Sequence, residues 1–195
     1  VDDTKFRYRF SECDVDGTFK HVQRSLVGAY KGYMISDKLY SHSGVTPTTD
    51  KSANDFDRYA AARGKGYQRI DFQQHCVIAF MLYAKYGNRN LQAILGIGGA
   101  KCNPPTQTGS SDANGNGVTK NERLKYVCGL GIEGVFGGIN ELTKGATVTD
   151  GNWEITDPDG STRRITSVAY DGWISGVAAE DGPFFDMIPT RTEGS

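Results

Sequence analysis

The chain contains no Cys-x-x-Cys pair. Its four cysteines, Cys13, Cys76, Cys102 and Cys128, lie far apart, which excludes a zinc knuckle or a thioredoxin-type redox motif. An even count permits two disulfides, and dispersed cysteines with apolar neighbours equally suit a reduced core, so they do not fix the compartment. Histidines number three, His21, His42 and His75, with no HExxH motif and no i, i+4 pair, so a helical zinc site is absent. His75 stands beside Cys76, but successive helical residues point about 100° apart and do not form a couple. No Gly-x-Ser-x-Gly elbow occurs, and no carboxylate pair is marked by its spacing. Charge of one sign is also lacking. With 22 basic and 23 acidic side chains the net charge is -1, which excludes the electrostatic footprint of a nucleic-acid partner. The longest apolar run, Cys76 to Ala84, is too short for membrane insertion. With no positive signal for catalysis, the chain is read as a non-enzyme.

What is present is an ordinary globular composition, 37% hydrophobic and 11% aromatic over 195 residues, enough to bury a core as one domain spanning 1–195. The sequence begins at Val1 rather than methionine, and is therefore expected to be processed or cut from a longer protein. Twenty-five glycines point to turns and irregular loops. Residues 1–25 read as an N-terminal β extension: Lys5 to Phe10 alternates charged and aromatic side chains, Asp14-Val15-Asp16-Gly17 is a turn, and Phe19 to Val22 is a strand. Leu26 to Ile35 reads as a further strand, bent at Gly28 and Gly32. A helix is predicted over Ser52 to Arg63, capped by Ser52 or Asp50, with Phe56, Tyr59, Ala60 and Arg63 on one stripe and Gly64 as its stop. A second helix starts at Asp71, with Gln74 completing a capping box, and stops at Gly87-Asn88. Its apolar residues Phe72, His75, Cys76, Ala79, Phe80 and Tyr83 cover most sides, so it is expected to be buried. Asn103 to Asn121 is a long polar loop. Trp153 to Thr156 and Arg163 to Thr166 flank Asp157-Pro158-Asp159-Gly160 as a hairpin.

Three segments carry possible chemistry. The first, Gly129 to Gly145, holds six glycines and contains Gly129-x-Gly131-x-x-Gly134, the dinucleotide fingerprint, after the strand-like run Leu124 to Cys128. Asp150 lies near where a ribose-binding acid belongs. The helix that must follow would contain Gly134, Gly137 and Gly138, each costing about 1 kcal/mol relative to alanine. No second strand–helix–strand pattern follows, so the glycines are read as close-packing positions, and Gly137→Val is expected to destabilise the fold. In the second, Asp112-x-Asn114-x-Asn116-Gly117 matches the start of a calcium loop. The twelfth position is Arg123 rather than a bidentate glutamate. A polar turn is the first reading, and calcium on Asp112, Asn114 and Asn116 the alternative. The third, Tyr170-Asp171-Gly172-Trp173, offers Tyr170, Asp171 and Trp173 as ligand-binding residues on a turn, while Phe184 and Phe185 are read as core.

Several segments taken in order resemble a group of phage and prophage structural proteins with a C-type-lectin-like domain, related in fold to the major tropism determinant and to formylglycine-generating enzymes. They are Val27 to Gly32, Ser43 to Thr48, Tyr59 to Tyr67, Asn90 to Gly98 and the glycine segment. The last resembles a core motif in which Gly131, Glu133, Gly137, Glu141 and Gly145 keep register. Phe136, Asn140 and Leu142 replace tryptophans, and Gly138 an asparagine.

The resemblance implies an α+β, C-type-lectin-like fold: two helices packed on twisted antiparallel sheets, with long loops displaying a binding surface. Glu133, Gly137, Glu141 and Gly145 would then be structural-motif residues. It implies a virion protein, assembled in the bacterial cytoplasm, that acts in adhesion on a tail fibre or capsid as a homotrimer. Its partners would be a host-surface receptor or glycan and other virion proteins, with no cofactor apart from the calcium alternative. An architectural capsid or fibre subunit shares the same fold. The enzyme branch uses paired cysteines near the C-terminus, and this chain has no such pair, so neither a formylglycine-generating-type nor a nucleotide-dependent activity is carried over. Members of the group continue beyond a motif like Ile188-Pro189-Thr190, so a C-terminal region bearing ligand contacts is expected to be missing.

Overall fold

A computed structural model describes residues 10–13, 19–22, 25–96, 106–114, 126–150, 152–157, 160–166, 173–177 and 189–193, of which 10–13, 19–22, 114, 173–177 and 189–193 are described by backbone alone. In chain order the elements begin with β1 (Phe10–Cys13), β2 (Phe19–Val22), β3 (Gly32–Ile35) and β4 (Lys38–Ser41). Helices α1 (Ala53–Ala61), α2 (Phe72–Tyr86) and α3 (Leu91–Leu95) follow, then a 3₁₀ turn at Asp112–Asn114. The remaining strands are β5 (Cys128–Gly129), β6 (Ile132–Glu133), β7 (Ala146–Thr149), β8 (Asn152–Thr156), β9 (Thr162–Thr166), β10 (Trp173–Val177) and β11 (Pro189–Glu193). Helices beside small antiparallel sheets make the architecture α+β. The sheets are the hairpins β1–β2, β3–β4, β5–β6 and β10–β11 and the meander β7–β8–β9.

The chain divides into two compact units. One comprises 26–69 and 91–142, the other 1–25, 70–90 and 143–195. In the first, β3 and β4 pair from Gly32↔Ser41 to Ile35↔Lys38. Ser36 and Asp37, with φ of 47° and 59°, supply the two left-handed residues of a tight primed turn. The expected strand from Leu26 shortens to Gly32–Ile35, because residues 29–31 commit their polar groups elsewhere. The Ala29 carbonyl accepts from the Glu133 N–H, the Tyr30 N–H donates to Ser41 Oγ, and the Lys31 side chain turns inward. Helix α1 is capped by Ser52, whose hydroxyl accepts from the Asp55 N–H while the Asp55 carboxylate accepts from the Ser52 N–H. Its buried residues are Tyr59 and Ala60. The short α3 is an addition to the two helices expected; Asn88 Oδ1 accepts from the Asn90 N–H just before it, and Leu91 and Leu95 bury one turn apart.

The second unit is built on α2 and the β7–β8–β9 meander. Asp71 caps α2 in a full box with Gln74, and Gly87 ends it in the left-handed conformation with φ of 60°. Phe72 N–H donates to the Lys144 carbonyl at 2.9 Å, and Lys144 N–H to the Ile70 carbonyl at 2.9 Å, tying the helix start to the approach of β7. Strand β8 alternates as its period demands, with Asn152 and Glu154 exposed and Ile155 fully buried. Phe72, Cys76 and Ile155 form the core, flanked by Ala146, Trp153 and Ile165, with the Phe72 and Trp153 ring centroids 5.9 Å apart. The β8–β9 hairpin falls where the sequence places it, from Asn152↔Thr166 to Thr156↔Thr162. Buried Asp157 accepts from both Arg163 Nε and Arg163 Nη2 beside the turn.

Helix α2 corrects one expectation: it is not buried throughout. Its first turn is buried, but Phe80 and Met81 are 40% and 49% exposed, because the core contacts come from Phe72 and Cys76 one turn apart. Among the described residues no helix is long and apolar enough to cross a membrane. Residues 5–9, the Asp14–Gly17 turn, most of the 103–121 loop, and Phe184 and Phe185 lie outside the described residues.

Candidate functional site

The glycine-rich segment folds as a tight hairpin followed by bends. β5 and β6 pair as Cys128↔Glu133 and Gly129↔Ile132, and Leu130 and Gly131, with φ of 56° and 77°, make the turn between them. From Gly134 the chain continues as bends, with no helix starting there. The strand–turn–helix needed to hold a pyrophosphate is therefore not formed here. The GxGxxG spacing comes from a hairpin whose turn needs Gly131.

That hairpin delivers Glu133 into the interior, where it is 2% exposed. Its Oε1 accepts from the Gly109 N–H at 2.9 Å. Its Oε2 accepts from the Ser111 N–H at 3.0 Å, Ser111 Oγ at 2.8 Å and Ser110 Oγ at 3.3 Å. A buried carboxylate needs this many donors to offset lost hydration. The same loop is held from its other side. Thr108 N–H donates to the Val45 carbonyl at 2.9 Å, Gly44 N–H to the Thr108 carbonyl at 3.0 Å, and Thr108 Oγ1 to the His42 carbonyl at 2.7 Å.

At the loop's outer end, Asp112 Oδ1 accepts from the Tyr30 hydroxyl at 2.5 Å and Oδ2 from Ser43 Oγ. The hydrogen bonds from Ser43 and then Tyr30 hold the Asp112 carboxyl below the ordinary carboxylate range. The bond to Asp112 in turn lifts the Tyr30 hydroxyl above its usual value. On the other flank, Lys31 is buried and donates from Nζ to the Gly134 carbonyl at 2.8 Å and to Glu141 Oε1. Glu141, one-third exposed, is thus the counter-ion of an interior lysine.

The predicted residues are distributed as follows. Glu133 and Glu141 come together around the hairpin and serve as hydrogen-bond and ion-pair anchors. Gly145 belongs to the unit of the β7–β8–β9 meander; it has φ of 73°, and its carbonyl accepts from the Thr156 N–H within that unit. Gly137 is exposed, with φ of 72°, so close packing is not what requires a glycine there. Tight positions in the segment are Gly134 and Gly138, where an added Cβ would lie 2.5 Å from Lys31 Cε and 2.8 Å from Tyr126 Cε1, respectively. Of the calcium set, Asp112 already holds two hydroxyls, Asn114 lies in the 3₁₀ turn, and Asn116 lies outside the described residues. No three Asp, Glu, His or Cys side chains converge among the described residues. Trp173 starts β10, whereas Tyr170 and Asp171 lie outside the described residues. Cys76 and Cys128 are buried thiols.

One cluster went unassigned at the sequence level. The Arg63 guanidinium lies over two rings, 3.9 Å from the Tyr40 centroid and 4.6 Å from that of Tyr67. Its Nη1 donates to the Leu39 carbonyl at 3.0 Å. The available signal is an arginine and a tyrosine four residues apart across Gly64 and Gly66, where in sequence Arg63 reads as part of the helix stripe and Gly64 as its stop. Compared with protein-family models, with curated proteins and with solved structures, the chain gives no match.

Proposed function

We propose that this chain is a virion-associated binding module of C-type-lectin-like fold, which recognises a host-surface receptor or glycan from a phage fibre or capsid as a homo-oligomer. The observation that carries the reading is the use made of Glu133. A buried carboxylate with four donors from one loop is an anchor, and it fixes that loop on the hairpin instead of meeting a substrate. Asp112 and Glu141 are engaged in the same way, by Tyr30 and Ser43 and by Lys31. Loops fixed by a rigid scaffold are what recognition requires. The order of the segments from Val27 to the glycine hairpin supports the same reading through the resemblance.

The test is retention of purified, fluorescently labelled chain on bacterial surfaces and on a glycan array, with the oligomeric state read by light scattering. Saturable retention by an oligomer is expected. Reproducible absence of retention overturns receptor binding in favour of an architectural capsid or fibre subunit.

A further inference from the structure

Arg63 differs from the other arginines whose contacts are described. Arg58 pairs with Asp55, Arg69 with Asp57, Arg163 with Asp157 and Arg164 with Glu154. Among the described residues Arg63 has no carboxylate. It is held by Tyr40, Tyr67 and the Leu39 carbonyl. Ring contacts fix the plane of a guanidinium without neutralising it. The Leu39 carbonyl occupies only Nη1, so Nε and Nη2 remain for an outside acceptor, in the fork that matches a carboxylate.

The surroundings extend the patch. Tyr33 stands directly opposite Tyr40 across the β3–β4 ladder, which places the two side chains on one face of the hairpin. Tyr67 is 52% exposed, leaving ring surface open beside the guanidinium. Aromatic faces take up the apolar C–H face of a pyranose, and phenolic hydroxyls exchange hydrogen bonds with sugar hydroxyls. A carboxylate fork beside tyrosine rings suits a ligand that carries an acid on a ring with a flat apolar face.

We infer that Tyr33, Tyr40, Arg63 and Tyr67 form a contact site for a carboxylate-bearing saccharide. The inference rests on the binding-module reading and gives it a ligand class. Trigalacturonate and sialyllactose are the probes, with the methyl ester of the former and lactose as neutral counterparts and an acidic hexapeptide as a third arm. Saturable binding of at least one acidic saccharide is expected, with the neutral form at least about tenfold weaker. Arg63→Lys keeps the charge but loses the planar fork, and is expected to weaken binding about tenfold at an unchanged thermal midpoint. Tyr67→Ala, at an exposed ring, is expected to weaken it without unfolding the chain. Equal binding of the neutral forms, wild-type binding by both variants, or binding of the peptide alone overturns the inference, as does no saturable binding of either acidic saccharide. Cell-surface retention undiminished in Arg63→Lys would sink this site and leave the binding-module reading standing. Loss of retention by the wild-type chain would sink that reading itself.

Discussion

Gly137 and Gly138 are neighbours with similar backbone, at φ of 72° and 82°, yet they need glycine for different reasons. Gly137 is exposed, and its left-handed backbone costs a non-glycine residue about 1–3 kcal/mol. At Gly138 the same strain is joined by overlap with Tyr126, which is 2% exposed and whose Cε1 and Cδ1 lie 2.8 and 3.1 Å from the added Cβ. A buried ring cannot retreat, and such overpacking costs about 1–3 kcal/mol more. Both alanine variants should therefore lose stability in a denaturant titration, with Gly138→Ala losing more. Equal losses would show that Tyr126 gives way. Gly137→Val should destabilise too, through its β-branched side chain at positive φ rather than through the core.

Helix ends were the most legible elements, because capping is local chemistry. Asp71 with Gln74 reads as a box in sequence and forms one in the fold, and Ser52, one of the two caps read for α1, caps it in a box with Asp55. Strand extent was less legible. Nothing local announces that Lys31 turns inward to meet Glu141, more than a hundred residues away, so the strand expected from Leu26 was drawn too long. β7 is absent from the elements predicted from sequence although Asp150-Gly151 beside Thr147-Val148-Thr149 is a hairpin signal, because Asp150 also fits the ribose-acid position of the dinucleotide pattern. Asp71 also gives an element-scale prediction. Burial, opposed by the Gln74 and Gln73 N–H groups and by His75 and Lys144, raises its carboxyl above the ordinary 3.8. The native state thus holds this proton more tightly than the unfolded chain. The associated stability is full below the ordinary carboxylate value and is lost as pH rises through the raised native value. Asparagine caps as well as aspartate and carries no charge. Asp71→Asn should accordingly gain on the wild type as pH rises from about 3 to about 7, compared by thermal midpoints. A relative loss over that range would contradict the burial-driven shift.

At the scale of the whole molecule, each unit carries its own buried thiol, Cys76 at 1% exposure in one and Cys128 at 2% in the other. Peptide-resolved labelling with N-ethylmaleimide should leave both unmodified in native buffer and label both in denaturant. Rapid native labelling of either would show that its unit opens readily. The candidate site was legible only in part, since its anchors Glu133 and Glu141 were singled out in sequence while their loop and lysine partners required long-range contacts. Arg63 was hidden for a similar reason: Tyr40 lies on another element, and only the fold sets its ring against the guanidinium. The interleaving of the units has a consequence for how the chain is made. Residues 26–69 and 91–142 are all present once residue 142 has been translated, whereas the other unit still awaits 143–195. Phe72 and Cys76 emerge from the ribosome about 80 residues ahead of Ile155, their partner in the core, a delay of roughly 4–16 s at about 5–20 residues per second. During that interval the nascent helix presents its apolar side without the strands that will cover it, which makes it the natural holding point for a ribosome-associated chaperone.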